Sequence, residues 1–178
     1  EEVGGAGMDY RAYSIVVEEL SRVCGTTGIT VAAHTSLGTA PIYKFGTEEQ
    51  RQRWVPQLAT GEMLGAFALT EAGAGSDAKM TRVTAVQDGD HWVVNGTKIY
   101  CTNGTFAETI VFTARTGGEV GDTKFISAFV VEKGTPGLKY GTLENKLGVR
   151  GSDTREIVFE DCRIPGANKL GEEGQGFK

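Results

Sequence analysis

Cysteine and histidine are scarce in this chain, with three of the first and two of the second among 178 residues. Cys24, Cys101 and Cys162 lie far apart with no Cys-x-x-Cys pair, so no disulfide framework is encoded and reduced thiols in an intracellular protein are expected. His34 and His91 are too few and too separated for a zinc site, and no metal is expected. No apolar run approaches the roughly 18 residues of a membrane helix. An excess of positive charge is also missing. With 18 basic against 23 acidic residues, the net charge of −5 excludes a broad electrostatic footprint for nucleic acid. No signal peptide is visible, and an intracellular location is expected. The chain opens on Glu1 without an initiator Met and stops at Gly-Gln-Gly-Phe-Lys without a capping signal, as expected of an internal piece of a longer protein.

A hydrophobic content of 39% with 23% charged residues suits a globular chain able to bury a core. The first third has helical periodicity. Tyr13, Val16, Val17, Leu20, Val23 and Cys24 fall on one stripe, with Asp9 as N-cap and Gly25 as the stop. Residues 29–45 are apolar nearly all round, which predicts a buried helix. Thr47-Glu48-Glu49-Gln50 is a capping box opening a further helix to about Leu58, with Pro56 ending or bending it. After Gly61 the period shortens. Strands are expected over Met63–Thr70, Thr81–Gln87, Thr109–Arg115, Phe125–Glu132 and Glu156–Phe159. Asp88-Gly89-Asp90 and Asn95-Gly96 read as hairpin turns on either side of His91–Val94. Helices followed by antiparallel-looking strands predict an α+β protein. It would comprise a partial helical domain over residues 1–60 and a β-barrel or sandwich domain over residues 61–178.

Two runs carry the chemistry. Phe67-Ala68-Leu69-Thr70-Glu71-Ala72-Gly73-Ala74-Gly75-Ser76-Asp77 and Lys98-Ile99-Tyr100-Cys101-Thr102-Asn103-Gly104 each begin strand-like and end in small, hydroxyl-bearing residues and glycine. Such endings bring backbone amides and hydroxyls close to a flat, polar-edged ligand. Gly73-Ala74-Gly75-Ser76-Asp77-Ala78 formally fits the dinucleotide pattern G-x-G-x-x-A. That fingerprint requires a helix next, whereas the segment that follows here reads as strand and hairpin. A nicotinamide-nucleotide fold is therefore not expected.

These two runs resemble the flavin-binding signatures of the acyl-CoA dehydrogenase family. The resemblance extends along the chain, through Pro41–Gln50, Lys146–Ser152 and Phe159–Pro165, although turn and core roles suffice for those stretches. It implies an FAD-dependent enzyme of fatty acid β-oxidation, closest to the short-chain or butyryl type, that desaturates an acyl-CoA thioester at its α,β carbons. By the same resemblance, FAD is held by Phe67, Ala68, Leu69, Thr70, Gly75 and Ser76 and by Tyr100, Cys101 and Thr102. The first run meets the pyrimidine edge, an aromatic at position 100 flanks the ring, and the Thr102 hydroxyl donates to flavin N5. Substrate contacts fall on Ser76, on Ala33, His34 and Leu37 at the end of the acyl pocket, and on Thr123 and Lys124 beside the CoA portion. Helical spacing does not separate a pocket role for His34 from that of a core histidine, and a solvated hairpin tip is the alternative for Thr123 and Lys124. Two departures stand out: Ala72 where the family usually has Pro, and Tyr100 where Trp or Phe is common.

The family's catalytic Glu comes from a C-terminal helical region that would follow Lys178. No catalytic base is therefore assigned among these residues, and the piece alone is expected to be inactive. The resemblance further implies a place in the bacterial cytoplasm or the mitochondrial matrix, an electron-transfer flavoprotein or similar acceptor, and a homo-oligomer, tetramer or dimer. Two other readings stay open: an oxygen-using flavin oxidase, of nitroalkane-oxidase kind, on the same scaffold, and a non-catalytic relative that has lost its base.

Overall fold

The computed structural model describes residues 3–177, and it places helices first and sheet second, as the patterning predicts. Helix α1 (Tyr10–Val23) starts where Asp9 accepts from the amides of Arg11 and Ala12, both at 3.0 Å. Gly25 does not stop it. The break falls at Cys24, whose extended backbone turns the chain, and Gly25 opens helix α2 (Gly25–Ala33) at once. A π-helical turn, His34–Thr39, then leads into α3 (Ala40–Phe45). Helix α4 (Glu48–Thr60) begins with the expected capping box of Thr47 and Gln50. It runs through Pro56 to an αL Gly61. The proline forfeits one bond to the Gln52 carbonyl, and Gln52 lies on the exposed side, where water can satisfy it.

All-round burial of residues 29–45 is not found. Gly28, Ala33, Gly38 and Ile42 form a buried side, whereas Ile29, Leu37, Tyr43 and Phe45 are exposed, because this chain packs a sheet against one side only.

The strands are β1 (Gly65–Ala68), β2 (Thr84–Asp88), β3 (His91–Thr102), β4 (Thr109–Arg115), β5 (Ile126–Glu132), β6 (Leu138–Leu143), β7 (Thr154–Pro165) and β8 (Lys169–Leu170). They form one sheet in the order β6-β7-β3-β2-β4-β5-β8, with β1 on β4. Pairing is antiparallel except at β4, which β1 joins in parallel along its first half and β2 touches in parallel at Thr84–Arg115. The sheet curls on itself. Two strands separate β4 from β7, about 14 Å in a flat sheet, yet the rings of Phe112 and Phe159 lie 4.5 Å apart.

The side chains of β4 and β5 alternate between two cores. Ile110, Phe112, Phe129 and Val131 fill the inside of the curl with Trp92 and Phe159. Val111 and Val130 face outward onto Ile42, Trp54 and Leu58 of the helices, with Leu170. Helices and sheet therefore share an apolar interface, closed at its rim by Gln50, whose side-chain amide donates to the carbonyls of Ala167 and Lys169 at 2.7 and 2.8 Å.

The turn expected at Asn95-Gly96 is instead the middle of β3, which continues to Thr102. Opposite it, β7 carries an extra residue, Asp161, with φ +46°. Asn95 serves that bulge. Its Nδ2 donates to the Asp161 carboxylate at 3.1 Å, and its Oδ1 accepts from the Asp161 amide at 2.8 Å. Gly96, at φ +129°, lies where a Cβ would come within 2.9 Å of Val83. Turn-forming residues are thus spent on accommodating a bulge. Among the described residues, no helix is long and apolar enough to cross a membrane.

Candidate functional site

The two runs singled out by sequence meet beside the helical layer. Strand β1 ends at Ala68, and Leu69 and Thr70 continue past it. There the Ile99 amide of β3 donates to the Thr70 carbonyl at 2.7 Å. Strand β3 has its own irregularity: between Lys98 and Cys101 it carries one residue more than β7. The extra residue is Tyr100, held at φ +58°. An aromatic side chain in the left-handed region is uncommon and costs strain. The gain is direction. The bulge leaves Lys98 and Cys101 facing the core while Tyr100 is 59% exposed at the surface beside them. Asn103, also at positive φ, fixes the end of β3 by donating to the carbonyls of Thr30 and Gly65 at 3.3 and 3.4 Å.

A cavity of about 240 Å³ opens at this junction, lined by Ala33 and Leu37 from the helices, Phe67, Leu69 and Thr70 from β1 and its extension, and Ile99, Tyr100 and Thr102 from β3. That is smaller than the roughly 300–1,000 Å³ of a complete ligand pocket. A cavity of this size has room for part of a cofactor-sized ligand. Neither the Thr70 nor the Thr102 hydroxyl takes part in a hydrogen bond within the described residues. Apolar walls with two unengaged hydroxyls fit a flat heterocycle with polar edges, and a flavin ring has that chemistry.

Of the residues named from sequence, the fold brings Ala33, Leu37, Phe67, Leu69, Thr70, Tyr100 and Thr102 together. Ala68 and Cys101 sit among them with side chains in the core, where burial pushes the Cys101 thiol up to about 12 and makes it a poor nucleophile. His34 is spanned by backbone. Its Nδ1 accepts from the Gly65 amide at 2.9 Å and its Nε2 lies 3.0 Å from the Leu58 carbonyl. Both ring nitrogens are thus occupied, and burial holds the imidazole below its ordinary value. Gly75 and Ser76 belong to the exposed loop after Glu71, with open space around the position of a Gly75 Cβ. That loop leads into a single 3₁₀ turn, Ala78–Met80, and then β2, which leaves no helix to hold a dinucleotide pyrophosphate. Thr123 and Lys124 form the 3₁₀ turn before β5 and do not line the cavity.

Sequence reasoning missed Ile99 as a lining residue, and it missed what lies behind the wall. Lys98 is fully buried, and its Nζ donates to Glu71 Oε1 at 2.7 Å, the Leu69 carbonyl at 3.0 Å and Thr81 Oγ1 at 3.1 Å. Glu71 also accepts from the Thr81 hydroxyl and from the amides of Arg82 and Val83. Burial alone would raise the Glu71 carboxyl. The Lys98 ammonium and the two amides outweigh it and leave the group below its ordinary value. Burial lowers Lys98, against the pull of Glu71. Removing one member of such a pair costs about 3–5 kcal/mol. The signal was available: counting by twos from the apolar Trp92 and Val94 puts Lys98 on the core face, where a lysine requires a partner. Among the described residues, no group of three or more His, Cys, Asp or Glu is placed to hold a metal ion.

Comparison with known proteins gives matches along the whole chain. The family model for the N-terminal domain of acyl-CoA dehydrogenases matches residues 1–62, and that for the middle domain matches residues 66–162. The short-chain specific acyl-CoA dehydrogenase of Clostridium acetobutylicum is 52% identical over 177 residues, covering 99% of this chain and 46% of that protein. A solved structure described as the electron transferring flavoprotein of Acidaminococcus fermentans superposes with a TM-score of 0.96 at 49% identity, over 99% of this chain and 46% of that one. An acyl-CoA dehydrogenase complexed with FAD from Bacillus anthracis superposes with a TM-score of 0.92 at 42% identity, over 99% of this chain and 30% of that one. The chain spans less than half the length of the curated relatives it matches.

Proposed function

The chain belongs to the acyl-CoA dehydrogenase family, and from that premise we propose that it is the helical and flavin-facing portion of an FAD-dependent enzyme that desaturates a short-chain acyl-CoA thioester. In this reading, residues 1–60 and 61–178 are two domains of that enzyme. The observation that carries it is the convergence of Thr70 and Thr102, their hydroxyls unengaged among the described residues, with Tyr100 and the apolar ends of two strands on one cavity. When bound, FAD supplies the hydride acceptor. Phe67, Leu69 and Thr70 then form the wall at its pyrimidine edge, Tyr100 flanks the ring, and the Thr102 hydroxyl donates to it. Ala68 and Cys101 contribute main chain alone, since their side chains face the core. Gly75 and Ser76 lie on an open loop suited to phosphate and thioester oxygens. Ala33 and Leu37 bound the acyl chain, and His34 fixes the helix that presents them.

The α-proton must pass to a carboxylate within hydrogen-bond reach. Glu71 is committed to Lys98 and to two backbone amides, so a base from outside this chain is assigned that role. The residues present are therefore inactive alone. A relative of short-chain specificity favours a butyryl-sized substrate, and the neighbour described as an electron transferring flavoprotein supports an acceptor of that class. A homo-oligomer completes the proposal.

The test is the visible spectrum of the purified full-length protein. Oxidised flavin bands that bleach on adding butyryl-CoA and recover with an electron acceptor, without hydrogen peroxide, are the expected result. Bleaching with stoichiometric peroxide would favour the oxidase reading. A colourless protein that does not take up FAD would end the flavin reading.

A further inference from the structure

The Leu69 carbonyl that accepts from Lys98 and the Thr70 amide belong to one peptide unit. The carbonyl of the next unit, Thr70, accepts from the Ile99 amide. Adjacent residues of β3 thus grip both peptides around Thr70, while the Thr70 amide takes part in no hydrogen bond within the described residues. Thr70 lines the cavity and Lys98 lies behind it. An ammonium on a carbonyl oxygen withdraws density through amide resonance and makes the N–H of the same unit a stronger donor.

We propose that Lys98, held by Glu71, is a positioning residue that orients the Leu69–Thr70 peptide and strengthens its amide as a donor to the pyrimidine edge of the flavin. The inference rests on the flavin reading given above. Its target is the reduced cofactor, because two-electron reduction adds negative charge over the pyrimidine ring, and a stronger donor there favours the reduced form.

The construction goes beyond what anchoring requires. Apolar packing would tie the loop to β3 at least as well as a buried ion pair. Here a fully buried lysine is surrounded by Glu71, Leu69, Thr81 and Thr113 oxygens, with Thr113 the most distant at 3.4 Å. Glu71 in turn pins the start of β2 through the amides of Arg82 and Val83, at 2.6 and 3.2 Å. The loop between them, with Gly75 and Ser76, is clamped at both ends by one carboxylate. A charge aimed at one particular carbonyl is what this arrangement adds.

The experiment uses full-length holoprotein and two double variants that remove both charges, Glu71→Gln/Lys98→Gln and Glu71→Gln/Lys98→Met. Flavin midpoint potential is measured by spectroelectrochemistry, alongside thermal melting. The Met version should show about a tenfold weaker preference for reduced over oxidised flavin, a potential lower by about 30 mV for a two-electron couple. The Gln version, which keeps a donor, should fall between it and the unaltered protein. If the Met version does not fold, the Gln version carries the comparison. A potential that is unchanged or raised in a folded variant overturns the proposal and leaves the pair as a structural tie. An unaltered protein that carries no flavin overturns the functional reading itself and this inference with it, a result visible before any variant is made.

Discussion

Thr102 is the residue whose chemistry separates a flavin wall from an ordinary sheet edge. Thr102 is half-buried beside a cavity, its hydroxyl unengaged among the described residues, and a neutral hydrogen bond to the ring is worth about 0.5–1.5 kcal/mol. Thr102→Val in the full-length protein should therefore retain FAD and slow flavin reduction by substrate about 2- to 10-fold. Stopped-flow kinetics identical to those of the unaltered protein would remove Thr102 from the site. The two runs that hold Thr70, Tyr100 and Thr102 were legible because hydroxyls and glycines at strand ends advertise a close approach, and the three residues do line one cavity; their separate roles came from the family resemblance. What they rest on was not legible. The positive φ of Tyr100 exists only because β3 holds one residue more than β7 across the bulge, and the role of Lys98 depends on a glutamate 27 positions away. Neither is written in local spacing.

The π-helical turn His34–Thr39 is the element that brings helix to sheet, and Gly38 is the reason it can. A Cβ at Gly38 would lie 2.4 Å from the Gly65 carbonyl carbon and 2.7 Å from the Ala66 nitrogen, and backbone cannot rotate out of the way as a side chain can. Gly38→Ala should destabilise the full-length protein by about 1–3 kcal/mol, read as a lower midpoint in urea. Because the same turn carries Leu37, assigned above to the acyl chain, weaker butyryl-CoA binding should accompany it. An unchanged midpoint would mean that β1 and the turn can separate at no cost. Local signals did well where chemistry is local, as at the Asp9 cap and the Thr47–Gln50 box. They failed where a partner decides. Asn95-Gly96 has hairpin composition and serves the bulge at Asp161, and the parallel pairing of β1 with β4 has no counterpart in sequence pattern.

Helices and curled sheet are tied by the half-buried His34, and the segments around β2 and β3 by the buried Glu71; both groups respond to acid. The His34 imidazole bridges α4 and β1 with a pKa held below the ordinary histidine value of about 6.5. The unfolded chain therefore binds a proton at this position more readily than the folded one, and stability falls as pH drops below about 6.5 toward the lowered folded value. Glu71, also lowered, adds a second loss as pH falls below its ordinary carboxylate range. The full-length protein should melt at lower temperature at pH 5.5 than at pH 7.5, and His34→Gln should flatten that difference. An equal pH slope in the variant would place the titration elsewhere. The clasp of Gln50 onto the carbonyls of Ala167 and Lys169 joins positions 117 and 119 residues apart. During synthesis, therefore, α4 leaves the ribosome long before the strand it docks against exists. Trp54 and Leu58 stay uncovered until β4 and β5 bring Val111 and Val130 onto them, and Leu170 completes the cover last, an interval in which self-association competes with docking.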